Sequence, residues 1–355
     1  MERAVDAQSS IRPAFSYRLT PHNRQAPITM RIVIPDDYQN VIRTLDCYSL
    51  LAGHEVTVLH ERQPASLDEL AARFAEADAL VLTRERTRID AALLDRLPKL
   101  RLISQTGKVA GHLDLDACTA RGIVVTEGRG SPVAPAELAW ALILNARRQL
   151  VPAIEGFRRG QWQVNLGLAV AGQVLGIWGY GKIGQRLARY AQAFDMPVLV
   201  WGSENSRAAA EADGHRAAAS REAFFAESDI ISLNLRLSER TRHIVTLDDL
   251  SKMKADALLV NISRAELIAP GALLQALDAG RPGFAAVDVY EEEPVLDPSH
   301  PLLRHPRVLC TPHLGYVEKN GYALYFGDAF DNVRAFFAGE PKNVANPQAL
   351  AIQRL

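Results

Sequence analysis

The 355-residue sequence predicts an α/β protein made of two doubly wound parallel-sheet domains. Three observations carry this. Short β-rich runs alternate with helical patterns in two separate series, as parallel sheets with crossover helices require. A breaker cluster, Glu127-Gly128-Arg129-Gly130-Ser131-Pro132, divides the series. A glycine-rich turn then follows the first apolar run of the second series, where strand gives way to helix.

In the first series the strand-like runs are Arg31 to Pro35, Glu55 to Leu59, Ala79 to Leu82, Leu100 to Ser104 and Ile123 to Thr126. After the breakers, Pro135 to Leu150 reads as a helix with Leu138, Leu142 and Ile143 on its apolar face. The second series has strands near Val174 to Trp178, Val198 to Trp201, Ile230 to Leu233, Leu258 to Asn261, Phe284 to Val287 and Val308 to Cys310. Six strands is the count of a Rossmann domain. Between them, Ala208 to Ala219 reads as a surface helix. Beyond Gly315, Tyr322, Tyr325, Phe326, Phe330, Val333 and Phe337 mark a long helix that Gly339 and Pro341 stop. With no sheet left to join, it is expected to return to the first domain. The predicted division is an N-terminal extension over 1–29, a discontinuous substrate domain over 30–130 and 316–345, and a nucleotide-binding domain over 131–315.

Composition narrows the partners. Forty basic and 41 acidic side chains leave a net charge of -1, so no cationic field favours nucleic acid or an anionic membrane, and small molecules are expected instead. The strongly apolar stretch Leu138 to Leu144 falls well short of the roughly 20 residues that span a bilayer. Cys47, Cys118 and Cys310 are odd in number and distant from any His at ligand spacing, which suits a reducing, cytoplasmic setting and no metal site. Residues 1–29 carry Arg3, Arg12, Arg18 and Arg24 but no apolar h-region, so an extension, or a start upstream of Met30, is expected over a secretory signal or transit peptide.

The motifs lie at strand ends, where open parallel sheets bind ligands. Gly179-Tyr180-Gly181-Lys182-Ile183-Gly184 matches G-x-G-x-x-G between a buried strand and a helix, and its glycines would let a pyrophosphate approach the helix N-terminus. About 20 residues on, the residue that should meet the ribose of NAD would be acidic. Here Gly202 and Ser203 occupy that place, Glu204 comes late, and Arg207 could meet a 2'-phosphate, so NAD and NADP both stay open. The second strand of the site ends at Asn234-Leu235-Arg236, with Thr241 beyond. Arg264 follows Ile262 and Ser263, and its planar fork suits a carboxylate and a neighbouring carbonyl. Asp288 and Glu293 follow the next strand, and His313 and Gly315 the last. Taken singly, Arg264 reads as a surface arginine, Glu293 as part of a solvated acidic loop, and His313 as a capping residue.

Together, in this order and spacing, these segments and Arg121-Gly122-Ile123-Val124-Val125 resemble the D-isomer-specific 2-hydroxyacid dehydrogenase family from Met30 to about Pro341. The resemblance implies a flavodoxin-like substrate domain beside a Rossmann domain, a homodimer, and a nicotinamide cofactor. It implies hydride transfer between that cofactor and C2 of a small 2-hydroxyacid or 2-oxoacid. Arg264 would orient the substrate, Glu293 would pair with His313, and His313 would be the acid/base. Asp288 would meet the carboxamide, and backbone near Lys108 and Val109 the substrate carboxylate. The roles make independent sense. Hydride cannot leave the carbinol carbon unless the hydroxyl proton leaves too, and an imidazole suits that proton. A neighbouring carboxylate would favour the protonated ring that reduction needs.

Departures from the family pattern bear on the substrate. Asn234-Leu235-Arg236 replaces a common His-x-Pro, and Gly111 stands where Asp is usual. Lys108 replaces a small residue, as in the similar phosphite dehydrogenases, while Glu293 argues against formate dehydrogenases, which carry an amide. The rival readings are an NADH-sensing corepressor on the same fold and a phosphite oxidase. Arg84 and Arg86 could reach a distal anionic or hydroxylated end of the substrate, but the reading preferred for each is a solvated surface charge.

Overall fold

The computed structural model describes residues 29–62, 64 and 66–352; apart from Thr29, the expected N-terminal extension lies outside them. Two sheets, every paired strand parallel, form the frame. The first comprises β1 (Arg31–Ile34), β2 (Glu55–Val58), β3 (Ala79–Leu82), β4 (Leu102–Gln105) and β5 (Val124–Glu127), in the order β2-β1-β3-β4-β5. That is the flavodoxin order, whose direction reverses between β1 and β3. β3 and β4 are buried throughout, which explains why they read as continuous apolar runs rather than alternating ones.

The second sheet contains β6 (Leu175–Trp178), β7 (Val198–Trp201), β8 (Arg216–Ala217), β9 (Ile230–Leu233), β10 (Leu258–Asn261), β11 (Phe284–Val287) and β12 (Val308–Cys310). Its order is β12-β11-β10-β9-β6-β7-β8, a Rossmann sheet extended by one strand, with the reversal between β6 and β9. The expected count of six strands is therefore corrected to seven. Ala208 to Ala219 is not one helix: helix Glu204–Ala212 gives way at Gly214, φ 81°, to the two-residue edge strand β8. Hydrogen bonding to β7 overrides the helical propensity of the alanines there.

Two helices link the sheets where one was expected. Val133–Arg148 ends on Gln149 in the left-handed region, and Leu150–Arg158 continues from it. The long helix Lys319–Phe337 packs back on the first sheet, its Tyr322, Tyr325, Phe326, Phe330, Val333 and Phe336 sharing a core with Ile32, Ile34, Val81, Leu102 and Val124. Each large side chain so buried contributes roughly 1.5–3 kcal/mol, so this helix is a main support of the first sheet.

Candidate active site

At the dinucleotide turn, the backbone reverses at Gly179, φ 100°, where a Cβ would stand 2.7 Å from the Asn234 carbonyl oxygen. A Cβ on Gly184 would collide with the Gly179 carbonyl oxygen. Space around Gly181 is open, and helix Lys182–Ala193 starts there with no side chain capping its first amides. A bare helix N-terminus with room for close approach fits a pyrophosphate. Lys182 and Ile183 form its first turn, while Tyr180 is buried and donates its hydroxyl to Asp213 at 2.8 Å.

The neighbouring strand ends complete this rim. Gly202 adopts φ 150°, and Ser203 caps the next helix by accepting from the Ser206 amide at 3.3 Å. Arg207 stacks 5.1 Å over the Trp201 ring, and its buried Nε has no partner among the described residues. Beyond β9, the Asn234 amide donates to the Ser232 carbonyl, Leu235 packs toward Gly179, and Thr241 donates to the carbonyl of exposed Arg236 at 2.7 Å. Ile262 is buried; Ser263 ties β10 to β9 by donating to the Leu233 carbonyl at 2.8 Å.

The charged groups converge from β10, β11 and β12. His313 Nδ1 lies 2.5 Å from Glu293 Oε2, both side chains partly exposed. Asp288, fully buried, holds the turn that carries His313: it accepts from Thr311 Oγ1 at 2.6 Å, Leu314 N at 2.7 Å and Gly315 N at 2.8 Å. Burial raises its carboxyl above the ordinary range even against those donors. Two bonds fall on Oδ1 and one on Oδ2, and with no exposed surface the carboxylate is spent on this turn, so the expected contact with a carboxamide is not open to it in this structure.

Arg264 is engaged by a residue the sequence reading missed. Its Nε donates to Glu85 Oε2 at 3.2 Å and its Nη2 to Glu85 Oε1, so the end of β10 meets the loop after β3. Burial would raise the Glu85 carboxyl, but Arg264, with Arg84 and His112 nearby, outweighs it and holds the group below its ordinary value. Position beyond a strand end was the available signal for Glu85, and its two arginine neighbours obscured it.

Those neighbours require a correction. Arg84 and Arg86 are not solvated charges: Arg84 lies 5.5 Å from the Tyr316 ring and 5.6 Å from that of Tyr325, and Arg86 is 4.6 Å over Tyr38 and 5.4 Å over Tyr316. The returning segment supplies most of these aromatic faces, which attract guanidinium through the ring quadrupole. His313 meets the same Tyr316 edge-on at 5.4 Å, so Tyr316 joins the His313–Glu293 pair to the Glu85 loop.

The loop after β4 also differs from expectation. Backbone near Lys108 and Val109 was expected to hold a substrate carboxylate, yet the Lys108 side chain is 64 % exposed and donates to Glu127 Oε1. The Val109 amide donates to Glu127 Oε2 at 3.3 Å. The register that places Glu127 opposite Gln105 explains why its carboxylate reaches this loop. Among the described residues, no helix is long and apolar enough to cross a membrane, and no cluster of three His, Cys, Asp or Glu could hold a metal.

Comparison with known proteins agrees with this layout. Residues 140–315 match the family described as D-isomer specific 2-hydroxyacid dehydrogenase, NAD binding domain. A glyoxylate reductase from Aeropyrum pernix is 35 % identical over 312 residues, covering 85 % of this chain and 92 % of the relative. A glyoxylate/hydroxypyruvate reductase B from Escherichia coli is 33 % identical, covering 83 % and 91 %. The solved structure of a phosphoglycerate oxidoreductase from Vibrio cholerae superposes with a TM-score of 0.85 at 52 % identity, covering 88 % of this chain and all of that one. The chain belongs to the D-isomer specific 2-hydroxyacid dehydrogenase family of nicotinamide-dependent oxidoreductases.

Proposed function

We propose that the enzyme acts mainly as a cytoplasmic 2-oxoacid reductase on small polar substrates, glyoxylate and hydroxypyruvate before aromatic ones, with His313 as acid/base. The observation that carries this is the His313–Glu293 contact on the turn that Asp288 holds, at the same crevice as Arg264. Held by its pyrophosphate at the Gly179–Gly184 turn, a reduced nicotinamide cofactor would supply the hydride. The chain's own residues do the rest. Arg264 receives the substrate carboxylate and polarises the adjacent carbonyl. His313 delivers a proton to the carbonyl oxygen as C2 is reduced, and Glu293 fixes the ring through Nδ1 so that Nε2 faces the substrate.

For the cofactor, the lack of an acidic side chain at Gly202 and Ser203, with Arg207 close by on the Trp201 ring, supports tolerance of NADP(H) as well as NAD(H). An assay of a 2-oxoacid panel with NADH and NADPH, followed at the nicotinamide absorbance, tests both parts. Phenylpyruvate outrunning hydroxypyruvate in kcat/KM overturns the polar substrate; cofactor binding with no turnover on any 2-oxoacid moves the reading to a sensor.

A homodimer completes the reading. Leu150, Val151, Ile154, Phe157, Trp162 and Leu166 are exposed on one stretch after the first linking helix, Trp162 at 75 % and Leu166 at 93 %. Apolar side chains so close together favour an isologous contact with a second copy. Phe157→Asp with Leu166→Asp should yield a monomer by light scattering; a wild type that is itself monomeric overturns the dimer.

A further inference from the structure

Glu85 is the charged group of the crevice that the chemistry above leaves without a task. It stands three residues beyond β3 and takes the Nε–Nη2 edge of Arg264. Arg264 Nη1 donates to the Ser263 carbonyl at 2.6 Å. A guanidinium has five N–H donors in a fixed fork. What remains for a ligand is the end edge, one hydrogen on Nη1 and one on Nη2, and anything docked there lies beside the Glu85 carboxylate. The adjacent arginines have partners of their own, with Arg84 still near enough to favour the Glu85 charge. Arg84 donates to the Thr106 carbonyl at 3.3 Å and stacks on Tyr316 and Tyr325, while Arg86 donates to the Asp36 carbonyl at 2.5 Å and stacks on Tyr38 and Tyr316.

We propose that Glu85 is a specificity-determining residue that admits 2-oxoacids bearing hydrogen or a hydroxyl at the next carbon and excludes those bearing a phosphate there. A hydroxyl can donate to the lone pairs that Arg264 leaves on Glu85. A phosphate monoester carries a charge of about -2 near neutrality and meets like charge in a partly buried place. The inference rests on Arg264 being the group that binds the substrate carboxylate.

The test compares kcat/KM for hydroxypyruvate and for its 3-phosphate ester in wild type, Glu85→Gln and Arg264→Lys. Glutamine removes the charge and keeps one oxygen to accept from Arg264, losing the second of the two contacts. The wild type should favour the unphosphorylated acid by about a hundredfold, and Glu85→Gln should narrow that ratio by about tenfold, through the KM of the ester. A wild type that reduces the ester as well as hydroxypyruvate overturns the proposal. So does a ratio within about threefold of wild type in Glu85→Gln that still quenches on binding NADPH, which leaves Glu85 as a support for Arg264. If Arg264→Lys loses both substrates while the Glu85 ratio stays put, only the specificity role falls. If Arg264→Lys stays fully active, the carboxylate-binding reading falls and the proposal with it.

Discussion

Glu293 Oε2 sits 2.5 Å from Nδ1 of His313, and this contact decides which ring nitrogen is left for chemistry. In the proposed reaction, with Nδ1 committed, Nε2 is the atom that exchanges a proton with a substrate oxygen. His313→Ala should lower kcat by about 10²- to 10⁴-fold, the usual share of positioned acid/base catalysis, with NADH affinity retained. Glu293→Gln should cost less, since the amide oxygen still accepts from Nδ1–H. Stopped-flow hydride transfer measures both; equal losses would show that Glu293 does more than orient the ring.

Asp288→Asn should damage stability and turnover together. Its oxygens receive a hydroxyl and two amides of the 311–315 turn, and an amide in their place would confront an N–H with an N–H. Loss of a buried bond to a charged group costs about 1.5–3 kcal/mol, read as a fall in Tm. Thr311→Val removes a single donor and should be milder. A Tm unchanged in Asp288→Asn would mean that the turn is held by other contacts.

The adenosine side of the site predicts selectivity that one residue can shift. Arg207→Leu should lower kcat/KM for NADPH by about tenfold and leave NADH nearly untouched, as removal of a phosphate-pairing guanidinium would. Wild type should prefer NADH by less than about a thousandfold. Gly202→Asp would move preference toward NADH, but at φ 150° and with a Cβ 3.3 Å from that of Ser206, it also strains the backbone. Ser203→Asp is the gentler carrier of the same charge, because aspartate still caps the helix.

The Arg264–Glu85 pair predicts a pH effect. Against the burial of Glu85, Arg264, with Arg84 and His112 nearby, holds its carboxyl below the ordinary range. A depressed native value stabilises the fold above the unfolded carboxyl value of about 4.3 and loses that contribution as pH falls through the native one. Wild type should therefore melt above Glu85→Gln at neutral pH, and the gap should close in acid. A gap that widens on acidification would contradict the sign.

Much of this site was legible because strand ends announce themselves: short apolar runs stop at Asn234, Arg264, Asp288 and His313. What the pattern could not reveal is pairing across the crevice. Glu85 and Arg264 are 179 residues apart, and nothing local to Arg84-Glu85-Arg86 tells which charge faces the site and which two lie on tyrosines from the far end of the chain. β8 escaped for a different reason. Two residues at a sheet edge, Arg216 and Ala217, carry no apolar period at all.

The return of helix Lys319–Phe337 to the first sheet has a consequence for synthesis on the ribosome. The strands of that sheet emerge early, but the aromatic side chains that cover Ile32, Ile34 and Val124 are made about 200 to 300 residues later. Until then one face of the sheet is open to water and to other nascent chains, while the nucleotide-binding sheet can already close. A truncation at Gly315 should accordingly retain protease resistance in the second sheet and lose it in the first, and early chaperone contacts should map to β1 through β5.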